Sequence, residues 1–186
     1  MCKLLKTLLF SVLLLGLFVQ VSASEMYVLV SDTQLKSKDG KIAKLFLGVP
    51  IKVVKEKGEN VEVVLKGFLF GSKLYSTKNK RLLIATLDKG FKVTKKSVNK
   101  VELRGLIEKG SLTVNSAEVW EEHEEFYFDM CSVCHAAPQV PHHSMTEWEA
   151  LYEPMKGFAK LDKEEAVYLL RYIKSNALDG LIKAKH

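Results

Sequence analysis

The chain has 186 residues and a formal net charge of +6 at pH 7. Its length allows one ordinary domain or two small ones and excludes a larger set of domains. The charge is unevenly spread: residues 24–114 carry 19 basic and 9 acidic side chains, whereas residues 115–186 carry 7 basic and 13 acidic ones. This change of sign favours two domains that meet near residue 114.

The N-terminal residues have the three parts of a secretory signal. Two lysines precede an apolar run at 8–19, and Ala23 ends a short stretch of small residues suited to cleavage. We therefore expect residues 1–23 to direct export to the periplasm and to be removed, together with Cys2. The apolar run is short for a membrane span, and an uncleaved N-terminal anchor is the alternative interpretation.

Residues 24–114 show the alternation of apolar and polar side chains that predicts β-strands, notably at 51–53, 61–63 and 91–93. Most lysines alternate with apolar residues, which is typical of a solvated strand face. The alternative is a surface that docks an acidic partner or makes peripheral contact with an anionic membrane. Nucleic acid is not expected as a partner, because the basic stretches lack interleaved aromatic side chains.

An internal repeat lies in this region. Residues 51–63 align without gaps with residues 91–103, and each copy runs on to a glycine and two apolar residues. A self-match of this kind indicates two small β units in tandem. The pattern resembles bacterial SH3-like repeats, although the tryptophan usual before the last strand is missing.

The acidic half is predicted to form three helices. Asn115, Thr146 and Asp162 are the predicted N-caps, and each is followed three residues later by a glutamate, as in a capping box. Pro154 lies inside the second helical pattern, so we expect that helix to kink or stop there. Gly180 is the predicted end of the third helix.

The segment after the first predicted helix contains Cys131, Cys134 and His135 in the spacing Cys-x-x-Cys-His. Two thiols at this spacing can each form a thioether with a vinyl group of haem, and the adjacent histidine can ligate the iron. The pattern predicts one covalent haem c with His135 as the proximal iron ligand, and therefore no structural disulfide. The carbonyl oxygen of Pro138 or Pro141 could accept a hydrogen bond from the other ring nitrogen of His135 and so fix the tautomer of this histidine.

Two other uses of the thiols compete with haem attachment. A thioredoxin-like pair follows a strand at the start of a helix, whereas Cys131 is predicted to end one. A zinc site could be assembled from Cys131, Cys134, His142 and His143, but it would leave His135 unused. The haem interpretation uses all three residues of the motif.

The order of helix, cysteine motif, loop, helix and terminal helix resembles a compact class I cytochrome c domain. In that family a methionine just before the terminal helix binds the second face of the iron, and the segment that begins at Met155 looks like that region. The resemblance implies Met155 as the distal ligand, with His143 and Met145 as alternatives. The predicted fold class is α+β in two domains, with an all-β SH3-like region at 24–114 and an all-α monohaem cytochrome c domain at 115–186.

A more specific resemblance covers residues 115–177. The cysteine motif, His143, Trp148 and the run that starts at Met155 are similar to the C-terminal haem domain of multihaem cytochromes that serve trimethylamine-N-oxide reductases. They are also similar to small cytochrome subunits of periplasmic molybdenum enzymes. In the first group a four-haem, membrane-anchored part stands where this chain has its β region, so direct oxidation of quinol is not expected.

The resemblance implies a periplasmic electron-transfer protein rather than an enzyme. It would carry single electrons to or from a molybdopterin reductase of the trimethylamine-N-oxide or dimethyl sulfoxide type in anaerobic respiration, with a quinol-linked cytochrome as donor. One alternative is a haem-based ligand sensor with an open iron position. Another is an envelope-binding protein in which the β region is the main part and the haem is accessory.

Overall fold

The computed structural model describes residues 25–182, so the predicted signal at 1–23 and Cys2 lie outside the described residues. Within this range, ten strands form one antiparallel sheet, and three α-helices follow them. The strands are β1 (Glu25–Val28), β2 (Thr33–Lys36), β3 (Ile42–Leu45), β4 (Pro50–Lys57), β5 (Asn60–Phe70), β6 (Lys73–Tyr75), β7 (Leu83–Leu87), β8 (Thr94–Lys95), β9 (Lys100–Glu108) and β10 (Leu112–Thr113). The helices are α1 (Ser116–Cys131), α2 (Met145–Phe158) and α3 (Lys163–Asn176), with short 3-10 turns at Lys109–Ser111 and Val140–His142.

Six of the described strands close into a barrel. In order round the barrel, β5 is followed by β6, β7, β3, β2 and β9, and β9 pairs back with β5. The β5–β9 seam runs from the pair Asn60–Glu108 to the pair Phe68–Lys100. Strands β4, β1 and β10 extend the sheet from β5, and β8 extends it from β9. Closure pairs the edges of the six strands, which an open sheet would leave exposed.

The barrel interior is filled by alternate side chains of its strands. Val61 and Val63 on β5 are buried, as are Val101 and Leu103 on β9, while the residues between them face outward. This period of two is the pattern expected for strands with one face on a core. Each such side chain contributes about 1.5–3 kcal/mol through the apolar surface that it removes from water.

Two of the three predicted strands are confirmed, because 51–53 lies in β4 and 61–63 lies in β5. The predicted strand at 91–93 is wrong: these residues have no regular secondary structure, although the ring of Phe91 packs into the barrel core. The two copies of the repeat do not form stacked units, because their strands β5 and β9 pair with each other in one barrel. The SH3-like assignment of 24–114 stays a prediction.

The predicted fold class, α+β in two domains with an all-α haem domain, is wrong. The structure is mostly β, and residues from the strand region pack into the core of the helices. Leu82, just before β7, is buried in the same cluster as Trp120 on α1 and Leu169 on α3. Gly48 has a φ of +74° and lies so close to Trp120 that a Cβ atom there would overlap the indole ring. The domain boundary near residue 114 stays a prediction.

Arg171 on α3 forms hydrogen bonds that connect the helices to the strand region. Its guanidinium donates hydrogen bonds to the carbonyl oxygens of Leu47 at 2.7 Å and Leu83 at 2.5 Å. Burial lowers the pKa of Arg171 to about 10, so the side chain remains charged at neutral pH. One turn later, Lys174 donates to the carbonyl oxygen of Arg81 at 2.8 Å. Separation of helix and sheet would therefore break several hydrogen bonds to partly buried groups.

The helix starts agree in part with prediction. Asn115 and Asp162 are confirmed as the N-caps of α1 and α3. Helix α2 begins earlier than predicted, because its N-cap is Ser144 rather than Thr146. Both residues have a glutamate three positions later. Glu149, the predicted partner of Thr146, instead forms ion pairs with Arg81, just before β7, and with Lys174 on α3.

The helix ends differ from prediction. Helix α2 runs through Pro154 to Phe158, so the proline does not stop it. Helix α3 ends at Asn176, before the predicted stop at Gly180. No helix within residues 25–182 is long and apolar enough to cross a membrane.

Candidate functional site

Helix α1 leads directly into the cysteine motif. The helix ends at Cys131, and residues 132–135 bend without regular structure. Cys131 is half-buried, whereas Cys134 and His135 are exposed, and both thiols are free. The prediction that the motif ends a helix is confirmed, which argues against a thioredoxin-like arrangement.

The ring of His135 is oriented by the backbone next to it. Its Nδ1 lies 3.0 Å from the carbonyl oxygen of Ala136, so the tautomer with the proton on Nδ1 donates a hydrogen bond there. That tautomer leaves the lone pair of Nε2 available for a metal. The prediction that Pro138 or Pro141 supplies this carbonyl is wrong, since Ala136 supplies it. The carbonyl oxygen of Pro138 instead accepts from the Tyr127 hydroxyl.

A cavity of about 430 Å³ adjoins the motif and is lined by residues of all three helices. The predicted haem residues Cys131, Cys134, His135 and Met155 all line it. The remaining lining residues are mainly aromatic and aliphatic: Tyr127, Met130, Val133, Pro138, Trp148, Leu151, Tyr152, Phe158, Ala159, Leu161, Leu169 and Ile173, with Lys156 and Lys160. The fold thus brings the cysteine motif and Met155, which lie on different helices, to one apolar cavity.

Several large apolar side chains around this cavity are exposed to solvent. Val133 and Phe158 have 77% and 76% of their surface exposed, and Leu151 and Met155 have 42% each. Exposed apolar side chains that cluster round a concave site are typical of a surface that binds a ligand or a partner. The chemistry of this cavity therefore favours an apolar occupant.

Of the three candidates for the distal ligand, Met155 alone lines the cavity. Met145 is fully buried at the start of α2, where its backbone N–H donates to the Asp179 carboxylate at 2.6 Å. The ring of His143 packs edge-on against Trp148, with 5.2 Å between ring centroids. The geometry favours Met155 over the other two, and its role as an iron ligand stays a prediction.

The polar atoms of the aromatic wall are hydrogen-bonded. Trp148 donates from Nε1 to the carbonyl oxygen of Val140 at 2.8 Å, and the Tyr152 hydroxyl donates to that of Ala166 at 2.8 Å. Together with the hydrogen bond from Tyr127 to Pro138, these bonds connect the aromatic residues of the cavity wall to the loop after the motif and to helix α3. The sequence carried no signal for these hydrogen bonds.

Two partly buried groups at the motif, the Cys131 thiol and the Tyr127 hydroxyl, are uncharged at neutral pH. Burial raises the pKa of the Cys131 thiol, so the thiol form predominates. Burial also raises the pKa of the Tyr127 hydroxyl, and the neighbouring Cys131 raises it further. The Tyr127 hydroxyl therefore remains protonated and available as a hydrogen-bond donor.

Two lysines on the cavity, Lys156 and Lys160, were not predicted as site residues. Lys156 forms an ion pair with Glu153 at 2.7 Å. Lys160 forms no ion pair with any residue in the range 25–182. A signal for them was present, because they are the only basic residues between positions 115 and 162 of an acidic segment.

The geometry does not support the zinc alternative. Across the part of the chain that the structure describes, no group of three or more His, Cys, Asp and Glu side chains lies close enough to hold a metal ion. Structural zinc sites need four such ligands in tetrahedral arrangement. His142 and His143 therefore do not join the two thiols in a preformed zinc site.

The chain is similar to the cytochrome c-type protein TorC of Escherichia coli strain K12 and to TorC of E. coli O157:H7. The identity is 25% over 150 residues in each case, which covers 72% of this chain and 38% of the relative. The chain thus spans less than two fifths of the length of these relatives. No family model matches the sequence, and no solved structure matches it. The similarity supports a distant relationship to a c-type cytochrome.

Proposed function

We propose that this protein holds one covalent haem c in the cavity and transfers single electrons between partner proteins. The observation that carries the proposal is that Cys131, Cys134, His135 and Met155 line one apolar cavity, although they come from two helices and a bend. The distant similarity to a cytochrome c-type protein supports the same class of cofactor.

The apolar lining of the cavity is chemically suited to a flat apolar cofactor. Its volume of about 430 Å³ lies within the range of roughly 300–1,000 Å³ that is usual for ligand pockets. Val133 and Phe158 are more than three-quarters exposed at its rim. A bound group that covers them would stabilise the protein by about 25 cal/mol for each Å² of apolar surface removed from water.

Each predicted residue has a separate part in holding the cofactor. The thiols of Cys131 and Cys134 would form thioethers with its vinyl groups and keep it in place after export. His135, whose Nδ1 is bonded to the Ala136 carbonyl, would ligate the iron through Nε2, and Met155 would ligate it through its sulfur. When bound, the haem supplies a one-electron couple. Two protein ligands exclude small molecules from the metal, which suits electron transfer rather than catalysis.

The proposed setting is the periplasm, with residues 1–23 as the export signal. The resemblance of residues 115–177 to haem domains of trimethylamine-N-oxide reductase cytochromes favours a molybdopterin reductase as one partner and a quinol-linked cytochrome as the other. The excess of acidic side chains in residues 115–186 suits a small interface steered by charge, as in the weak and transient complexes of redox proteins. The direction of electron flow would be set by the potentials of the two partners.

Intact mass tests the attachment of the cofactor. The full chain is expressed with its own signal in a host that matures c-type cytochromes, and the exported product is weighed and stained for haem after denaturation. We expect one haem on the wild type and none on the double variant Cys131→Ala, Cys134→Ala. A wild-type chain without haem, in cells that load a reference c-type cytochrome, would overturn the proposal.

The exposure of Met155 favours ligand sensing as a second candidate function. With 42% of its surface exposed, this side chain is not fixed by close packing. An iron held by His135 alone would leave a position for a small molecule. Carbon monoxide separates the two functions, because the ferrous carrier should resist it and the ferrous sensor should bind it at once.

A further inference from the structure

The end of helix α2 places a lysine where glycine is the usual residue. Lys160 donates its backbone N–H to the carbonyl oxygen of Gly157 at 3.2 Å, and Leu161 donates to that of Lys156 at 3.2 Å. This pair of hydrogen bonds is the Schellman motif, in which the residue after the C-cap adopts a left-handed conformation. Lys160 has a φ of +54°, which a residue with a Cβ atom adopts at a cost in free energy.

Lys160 is also an unpaired cation on an apolar cavity. It lines the cavity together with Lys156, whose ammonium is neutralised by Glu153. Within residues 25–182 Lys160 has no carboxylate partner. The surrounding segment is strongly acidic, so a free positive charge at this point does not follow from local composition. Lys160 thus places an ammonium group without a carboxylate partner beside an apolar cavity.

We propose that Lys160 is the electrostatic anchor for a carboxylate of the cofactor. The inference rests on the proposed function, because haem carries two propionate groups at one edge of an otherwise apolar ring. A carboxylate over an apolar cavity needs a cation or full hydration, and an ammonium group at the rim supplies the cation. Lys160 is thus a positioning residue that acts on the cofactor periphery and makes no contact with iron.

The same charge acts on the redox equilibrium. An ammonium group beside the propionate offsets its negative charge, and so favours the ferrous state, which has one positive charge fewer than the ferric state. Without Lys160 the propionate would remain uncompensated and would favour the ferric state. The lysine also holds the carboxylate in its ionised form, so its removal should move the protonation of that carboxylate to higher pH.

The test compares three substitutions of Lys160 in the haem-loaded protein. Lys160→Gly removes both the charge and the backbone strain, Lys160→Gln removes the charge alone, and Lys160→Arg keeps the charge. Lys163→Gln is the matched control, because Lys163 is exposed three residues later and does not line the cavity. Intact mass first confirms one haem on each variant, and redox titration over a range of pH then gives the midpoint potential.

We expect Lys160→Gly and Lys160→Gln to lower the ratio of reduced to oxidised protein several-fold at a fixed applied potential. In a plot of midpoint potential against pH, the slope should change at a higher pH in these two variants than in the wild type. Lys160→Arg and Lys163→Gln should have midpoint potentials close to that of the wild type. Lys160→Gly should also be at least as resistant to denaturant as the wild type, because it relieves the left-handed backbone. If the haem-loaded Lys160→Gly and Lys163→Gln variants have the same midpoint potential, the inference is overturned. Absence of haem from the wild type would instead overturn the proposed function.

Discussion

The hydroxyl of Tyr127 donates a hydrogen bond of 2.6 Å to the carbonyl oxygen of Pro138. Tyr127 lies one turn before Cys131 on α1, and Pro138 lies three residues after His135 in the loop that follows. The bond therefore joins the two arms of the chain on either side of the cysteine motif. Because Tyr127 is 1% exposed, water cannot readily replace either partner.

Substitution of Tyr127 by phenylalanine should destabilise the protein. The change leaves the ring in the core but removes the donor, so the carbonyl oxygen of Pro138 loses its partner at a cost of about 1–3 kcal/mol. Urea denaturation of the wild type and the variant measures this difference. The control is Tyr168→Phe on α3, since Tyr168 is partly exposed. Equal stability of the two variants would contradict the role given to the Tyr127 hydroxyl.

Substitution of Met155 by leucine should open the iron to small ligands. Leucine has a similar volume, so packing should change little, but it has no sulfur to bind iron. The ferrous variant should bind carbon monoxide rapidly while the wild type resists it, and the far-red ferric absorption band of methionine ligation should disappear.

The other two candidate ligands supply the controls for this prediction. His143→Ala and Met145→Leu alter residues that do not line the cavity, so both variants should keep the spectrum of the wild type and its resistance to carbon monoxide. Rapid binding of carbon monoxide by His143→Ala, with Met155→Leu unchanged, would assign the distal position to His143 instead.

The proximity of three candidate site residues was predictable, because the Cys-x-x-Cys-His pattern is local in the sequence. Cys131, Cys134 and His135 lie within five positions of one another, and covalent chemistry requires that spacing wherever the segment is placed. Strand alternation is equally local, which is why β4 and β5 were found. In the sequence Lys160 stands out only as one of two lysines in an acidic segment, and no sequence pattern predicts its left-handed backbone or its position on the cavity.

The fold class was not predictable from the same information, because it depends on contacts between distant residues. Arg171 binds the carbonyl oxygen of Leu47, 124 positions away, and Trp120 packs on Gly48. The change in charge near residue 114 coincides with the change from strands to helices. Surface charge does not show, however, whether the strands and the helices pack against each other. Phe91 was expected in a strand because apolar and polar residues alternate around it. Such alternation also occurs where a residue outside any strand packs into a core, as Phe91 does.

Stability should fall as the pH is lowered, because His123 is buried in neutral form. The ring stacks on Tyr168 with 3.6 Å between centroids, and within residues 25–182 its Nδ1 has no hydrogen-bond partner. Burial, and secondarily the charge of Arg171, lowers its pKa to about 4 from an ordinary value of 6.5. Between these values the unfolded chain binds a proton that the folded chain does not, so folding loses up to roughly 3 kcal/mol as pH falls from 6.5 to 4.

The measurement is the free energy of unfolding as a function of pH for His123→Phe and the wild type. The wild-type curve should drop more steeply than that of the variant between pH 6.5 and 4, and the two should run parallel above pH 7. His142→Gln removes an exposed imidazole and should leave the wild-type slope unchanged. Parallel curves for wild type and His123→Phe over the whole range would show that His123 is not held neutral by burial.

Substitution of Arg171 by methionine should weaken the helices and the barrel together. Methionine fills much of the same space but leaves the carbonyl oxygens of Leu47 and Leu83 without their donors, at a cost of about 2–5 kcal/mol. Because Leu82 packs in the buried cluster of the helices and Arg171 bonds α3 to the strand region, the two parts should unfold in a single transition. Tryptophan fluorescence reports the helices, since both tryptophans lie there, and amide exchange in β5 and β9 reports the barrel.

The control for this prediction is Arg104→Met on β9. Arg104 is an exposed arginine that pairs with Glu62 at 2.7 Å, and a surface pair of this kind contributes about 0–1 kcal/mol. Arg171→Met should therefore cost several times more than Arg104→Met, with equal losses at both probes. A loss seen in tryptophan fluorescence alone, with exchange in β5 and β9 unchanged, would show that the helices unfold independently of the barrel and that the Arg171 contacts do not couple them.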